Sequence, residues 1–205
     1  MKITDISSQK KNQDRVNIFL DGQFAFSLEA VDVLKFKLKI GMELTEKDVE
    51  KLSLESSFTK AMSKAMDIVS RKPVTQKELE NKLFEKGYDE LVVSVVINEL
   101  SELGYINDHD YALLYIDYAR EKCYGDKKIR YELSRKGVAD NIINQVLSEK
   151  AKPEGEELAQ MILAKYGRID TKDIKNKQRI VRFFLSRGFG FDDANDAIKC
   201  YENMD

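Results

Sequence analysis

The residues of this chain that could do chemistry are few, and their spacing decides of what kind. One histidine, His109, stands between two carboxylates in "NDHDY". An imidazole beside Asp108 and Asp110 has the composition of a metal site or an acid–base dyad. Neighbouring residues at a helix start point in different directions, however, and Asn and Asp there are ordinary caps, so the plainer reading is a helix start at the surface. Cys123 and Cys200 lie 77 positions apart and neither sits in a C-x-x-C pair, which leaves metal or redox chemistry without a spacing to support it. They read as two thiols on helices in a reducing compartment. No P-loop, dinucleotide-binding glycine motif, zinc-protease helix, serine elbow or EF-hand loop occurs, and "GFG" at Gly188–Gly190 is too short to cradle a phosphate. With no nucleophile beside a base, the sequence reads as a non-enzyme without metal or cofactor.

What remains is patterned charge. The net charge of −2 over 205 residues excludes a simple polycation, yet the average hides an asymmetry. Thr75–Tyr105 carries three Lys against seven Asp or Glu, net −4. Arg120–Lys136 carries seven basic and three acidic residues, net +4, and Lys165–Arg187 eight basic and two acidic, net +6. In the last segment Lys172, Lys175, Arg179 and Arg182 follow steps of three, four and three, which puts them within about 80° on a helical wheel. Ile174, Val181, Phe184 and Leu185 fall on the opposite side and are expected to face the core. In the middle segment Lys127, Lys128, Arg130, Arg135 and Lys136 spread more widely around Ile129 and Leu133. A single Lys on the back of a helix is ordinarily just solvated. A four-residue stripe without acidic partners at i,i+4 reads instead as a surface for phosphates or for an acidic protein groove.

The elements that must carry these residues are repeated. "KLFEKGYDELVVSVVINEL" (Lys82–Leu100) and "ELSRKGVADNIINQVLSEK" (Glu132–Lys150) say nearly the same thing, and "FFLSRGFGFDDANDAIKCYEN" says it a third time. The glycines at their centres, Gly87, Gly137 and Gly188, are 50 and 51 residues apart, each preceded by a basic and followed by an apolar residue. From Phe58 onward the 3.6-residue period dominates, and Gly or Pro stands at most joints. "AMSKAMDIVSRK", "TQKELENKLFEKG" with the capping box Thr75 to Glu78, and "DELVVSVVINELSELG" make one round of three helices. "DHDYALLYIDYAREKCYG", "DKKIRYELSRKG" and "ADNIINQVLSEK" make the second; "EGEELAQMILAKYG", "TKDIKNKQRIVRFFLSRG" and "DDANDAIKCYENM" make the third. Units of this size bury little alone and gain a continuous apolar interface by stacking.

Residues 1–58 differ. "RVNIFLDGQFAFSL" alternates apolar and polar residues around Asp21-Gly22, a hairpin signal. A three-residue loop is favoured, because it would set Leu20 across from Phe24, Ile18 from Phe26 and Val16 from Leu28 on one face, whereas a two-residue loop would split them. "KITDISSQ" supplies a third strand, and short helices are expected over Glu29–Phe36 and from the N-cap Thr45. The fold class is therefore mainly α: three tandem three-helix repeats (59–106, 107–152, 153–205) in an elongated, curved array behind a small α+β module (1–58). Only 2 Pro and 10 Gly, with 34% charged residues, suit such a helix-rich chain. "MKITDISSQ" has no signal-peptide core, and no run approaches the roughly 20 apolar residues of a membrane span, so a cytoplasmic protein is expected.

At "AMDIVSRKPVTQKELENKLFEKGY", "VINELSELGYINDHDYA", "YAREKCYGDKKIRYELSRKGV" and "FFLSRGFGFDD" the chain resembles the RecX family, bacterial regulators of the RecA recombinase. The resemblance runs from about Ala61 to the C-terminus, and the first module is similar to an extension carried by some members. It implies a curved, elongated rod of tandem three-helix repeats; a monomer is expected. It further implies binding in the helical groove of the RecA filament on DNA, bridging subunits and inhibiting strand exchange, ATP hydrolysis and co-protease activity. No catalytic role carries over. Arg120, Gly125 and Arg130 fall within a family-like phrase, so Arg120 joins the basic positions named above as a candidate contact for filament or DNA. The competing readings are a sequence-independent nucleic-acid module and a scaffold for another helical protein.

Overall fold

The computed structural model describes residues 1–9 and 12–204. The N-terminal alternation forms an antiparallel sheet in the order β1 (Ile3–Gln9), β2 (Asn12–Leu20), β3 (Gln23–Glu29). Its hairpin corrects the expected loop. The turn closes in two residues, Asp21 and Gly22 at φ 49 and 84, and Leu20 faces Gln23 rather than Phe24. A register shift between Ile18 and Phe19 then restores the expected pairs, Ile18 with Phe26 and Val16 with Leu28. The two-residue turn matches strand twist, and the bulge returns the apolar residues to one face. Phe24 is left outward, 58% exposed and edge-on to Phe19 at 6.0 Å between centroids.

Ile3, Ile18, Phe26 and Leu28 of the sheet's inner face bury with Leu38, Leu44 and Leu52 in one core. After the short α1 (Ala30–Lys35) comes α2 (Glu46–Val69), opened by a capping box between Thr45 and Asp48. The two helices expected here, one from Thr45 and one over Ala61–Lys72, are a single helix of 24 residues. Nothing between them breaks it: residues 46–69 contain neither Gly nor Pro, and the buried face passes from Leu52 and Ser56 to Ala61 and Ala65 on the opposite side without interrupting the helix.

The remaining helices follow the sequence reading closely: α3 (Gln76–Phe84), α4 (Glu90–Glu102), α5 (Asp108–Glu121), α6 (Asp126–Arg135), α7 (Asp140–Glu149), α8 (Gly155–Tyr166), α9 (Ile174–Ser186) and α10 (Phe191–Glu202). Contacts divide the chain into two compact units. The first comprises Met1–Pro73 and Leu79–Ile106, the second Val74–Glu78 and the chain from Asn107 onward. In the second unit α5, α6 and α7 close around Ile116, Ile129, Leu133 and Ile143, while α8, α9 and α10 close around Ile162, Ile180, Phe184 and Ile198.

The repeated basic-Gly phrase has a mechanical use in this unit. At the end of α6, the Lys136 carbonyl accepts from Thr75 Oγ1 at 2.6 Å, and Lys136 Nζ reaches Glu78 at 2.8 Å. At the end of α9 the same step recurs: the Arg187 carbonyl accepts from Gly125 N at 2.8 Å, and the Gly188 carbonyl from Lys127 N at 3.1 Å. The end of one middle helix thus fastens onto the start of the middle helix before it. Gly188 is required twice over, by its φ of +86 and because a Cβ there would lie 2.3 Å from Lys128 N. Gly87, at φ +81, has open space where a Cβ would go.

Candidate functional site

The cations named from sequence separate into two groups. Around α6 several are held down. Arg120, whose side chain is only 16% exposed, pairs with Asp126, and its Nη1 donates to the Tyr124 carbonyl at 2.9 Å. Its Nε is buried without a partner among the described residues. This arginine fixes the α5–α6 turn. Lys128 lies on the Tyr124 ring, 3.8 Å from its centroid. Lys136 carries the helix-to-helix fastening described above and also stands 5.5 Å from the Tyr111 centroid. Burial by itself would lower the Lys136 pKa; hydrogen bonds to Glu78 and Tyr111 outweigh it and hold the ammonium well above its ordinary 10.5. Arg135 is exposed, with Glu132 at 3.7 Å. Lys127 and Arg130 are exposed and form no salt bridge among the described residues.

The stripe predicted for the third repeat is only partly realised. The helix starts at Ile174, with Asp173 as N-cap accepting from Lys175 N at 2.9 Å, so Lys172 lies before it and outside its helical phase. Ile174, expected in the core, is 72% exposed, and Ile180 fills the core with Phe184 instead, while Val181 and Leu185 are half-buried. A first turn that extends past its packing partners buries nothing, whatever its sequence.

Arg179 and Arg182 face a groove of about 440 Å³ that they line with Lys165, Tyr166, Phe183, Ser186 and Arg187. Arg179 lies 5.3 Å from the Tyr166 centroid and Arg187 4.8 Å from that of Phe183, while Lys165 stands near both rings, at 5.7 and 5.3 Å. Tyr166 and Phe183 meet edge-to-face at 5.9 Å, and Phe183 rests on the buried Phe184 at 5.3 Å. Among the described residues no carboxylate lines the groove. Lys165, Tyr166, Phe183 and Arg187 were not picked out as site residues from the sequence. Lys165 and Tyr166 end α8, and only the packing of α8 against α9 and α10 brings them to Arg179.

His109 is occupied. Its Nε2 lies 3.3 Å from Glu149 Oε1 and from Gln145 Nε2 on α7. Asn107 caps α5 through His109 N and Asp110 N. Asp108 instead points at α3, accepting from Gln76 N at 2.8 Å. Burial raises the Asp108 carboxyl above the usual carboxylate range, against the opposing effect of that hydrogen bond. These side chains are caps and ties between helices, as the plainer sequence reading has it.

Three family descriptions match the chain: the regulatory protein RecX N-terminal domain over 1–45, the RecX first three-helix domain over 61–100 and the RecX second three-helix domain over 107–147. Regulatory protein RecX of Clostridium botulinum (strain Eklund 17B / Type B) is 34% identical over 97% of this chain and 95% of its own length. The chain belongs to the RecX family. Regulatory protein RecX of Bacillus subtilis (strain 168) is likewise 34% identical, over 98% of this chain and 78% of that protein. Among solved structures, a crystal structure of regulatory protein RecX aligns with a TM-score of 0.70 at 26% identity, covering 97% of this chain and 98% of the other. RecX from Lactobacillus salivarius aligns at 0.62 and 28% identity, over 72% of this chain and 98% of the other. The tandem three-helix architecture is therefore the RecX architecture, and the cations of Arg120–Lys136 fall inside the second three-helix domain. No described helix of this RecX-family chain is long and apolar enough to cross a membrane.

Proposed function

We propose that this chain is a non-enzymatic, cytoplasmic regulator of the RecA recombinase. As a monomer it binds the recombinase filament on DNA, within the filament's helical groove, and lowers strand exchange, ATP hydrolysis and co-protease activity. The observation that carries this reading is the near-full-length match to proteins named Regulatory protein RecX, on the same fold. The chemistry of the surface supports it. Lys127, Arg130, Lys172, Lys175, Arg179 and Arg182 are exposed without a salt bridge among the described residues, so they are available to the acidic surface of a nucleoprotein polymer.

ATP hydrolysis by RecA on single-stranded DNA, followed as this chain is added, tests the proposal. Hydrolysis is expected to fall with added chain, and the chain is expected to sediment with filaments. Unchanged hydrolysis with excess chain would remove the regulatory reading. Reversing the free charges of α6 and α9 is expected to weaken inhibition more than changes in the N-terminal hairpin do.

A further inference from the structure

In the first compact unit the N-terminal half of α2 leaves part of its apolar face uncovered. Leu54 on α2 and Leu91 and Val95 on the first two turns of α4 are exposed, and with the half-buried Phe58 and the buried Val92 they line a groove of about 460 Å³. Lys47, Glu50, Lys51 and Glu55 complete its lining. At 100° per residue, Lys47, Lys51, Leu54 and Phe58 fall within about 60° of one another along α2, with Glu50 and Glu55 to either side of that stripe. The stripe therefore runs cation, cation, apolar, apolar over roughly 16 Å. Glu55 is already answered by Lys35 at 3.0 Å, whereas Lys47 and Lys51 hold no salt bridge among the described residues. Lys51 stands 5.8 Å from the Phe36 centroid, and Lys35 shares that ring at 5.2 Å.

We infer that this groove docks a short linear segment of a partner protein, acidic at one end and apolar at the other. Its carboxylates meet Lys47 and Lys51, and its bulky apolar side chains cover Leu54, Phe58, Leu91 and Val95. The order of charged and apolar positions selects this occupant. Nucleic acid would bring phosphates along its whole length and leave the apolar positions wet. A purely apolar helix would cover two ammonium groups without giving them partners. A folded surface or a second copy of this chain needs more than the groove offers, since stable interfaces bury about 1,200–2,000 Å² in all, whereas a linear segment is held by a few anchors in one groove. Every lining residue belongs to the first unit, away from the basic segments around α6 and α9, and the docking does not rest on the recombinase reading.

The test is fluorescence anisotropy of labelled peptides titrated with the full-length chain. One peptide carries Glu at one end and Leu and Phe at the other; a second has Lys in place of Glu; a third has the composition of the first with its residues interspersed. The Glu peptide is expected to bind at least tenfold more tightly than either of the others. Leu91→Gln with Val95→Gln, both exposed, should weaken it at least tenfold, with the fold checked by circular dichroism. Lys47→Glu with Lys51→Glu should exchange the preference, so that the Lys peptide becomes the tighter ligand, an outcome that loss of structure does not produce. That exchange decides the matter even if the α4 variant does not fold. The inference is overturned if the Glu peptide does not bind, if it binds no better than the other two, or if the charge exchange leaves the preference unchanged. It is also overturned if sedimentation shows a dimer that Leu91→Gln with Val95→Gln abolishes, because the occupant is then a second copy. Inhibition of RecA ATP hydrolysis by the same variants, without peptide, is expected to match that of the wild type. A loss as large as that from reversing Arg179 and Arg182 would assign the groove to the recombinase and remove the separate partner. Wild-type chain that binds the Glu peptide without slowing hydrolysis removes only the regulatory reading.

Discussion

Arg120 and Lys136, at the two ends of the α6 segment, are spent on ion pairs within the protein, whereas Arg179 and Arg182 on α9 hold no salt bridge among the described residues. Arg120 secures the α5–α6 turn through Asp126 and the Tyr124 carbonyl, and Lys136 ties the end of α6 to Glu78. The α9 pair faces a groove without a carboxylate. Both segments are strongly basic, so net charge by itself does not distinguish a cation that builds from one that binds. The partner list does: a paired, half-buried cation is part of the scaffold, and an exposed unpaired one beside aromatic rings is available to a ligand.

The largest effect is expected at the joint between these two regions. Gly188→Ala places a Cβ against the Lys128 backbone and forces a side chain into positive φ, and should cost about 3–5 kcal/mol. Gly87→Ala, with similar φ but open space, should cost only about 1 kcal/mol, both read from urea midpoints. Equal costs would mean that the joint is not load-carrying. Arg120→Ala should lose about 2 kcal/mol, because it leaves the Tyr124 carbonyl without its donor and Asp126 with Lys152, at 3.3 Å, in place of two cations. Any loss of inhibition should then track the unfolded fraction.

Arg179→Glu with Arg182→Glu should reverse that pattern, with stability changed by less than about 0.5 kcal/mol and inhibition of RecA ATP hydrolysis weakened roughly tenfold. Lys136→Met should cost about 1–2 kcal/mol at neutral pH by freeing Glu78 from its partner. The Lys136 pKa is raised in the folded chain, so its contribution is complete below the ordinary value of 10.5 and is lost as pH climbs through the higher folded value. The gap between wild type and Lys136→Met should therefore close at strongly alkaline pH. Arg130→Ala is the smallest, within about 0.5 kcal/mol in stability, since the residue is exposed and holds no salt bridge among the described residues.

Much of the helical architecture was legible in the chain. The capping box from Thr75 to Glu78 forms as its spacing requires, and Gly87, Gly104, Gly137 and Gly188 all take positive φ after their helices. These are local signals, read by the backbone within one turn. The misses share another character. The hairpin bulge near Ala25 reconciles a tight turn with a buried face, a compromise that no single rule of alternation contains. In "ELVVSVVINEL", Val92, Val93, Val96 and Leu100 are buried while Leu91 and Val95 are 70% and 51% exposed, because a helix apolar on most sides meets neighbours on only one. Lys172 lost its place in the stripe because the helix begins two residues later, at Ile174.

By itself the sequence determined which segments coil, where the helices that close on Gly87, Gly104, Gly137 and Gly188 end, that a unit recurs about every 50 residues, and that two of its segments are strongly basic. Those properties depend on residues within a few positions of one another. Which cations stayed free was decided only by the tertiary structure. Lys136 finds Glu78 58 positions away, Arg187 reaches the Lys122 carbonyl 65 positions away, and Lys165 meets Phe183 across two packed helices. Electrostatic energy falls with distance in space and takes no account of separation along the chain, so the pairing of charges waits for the fold.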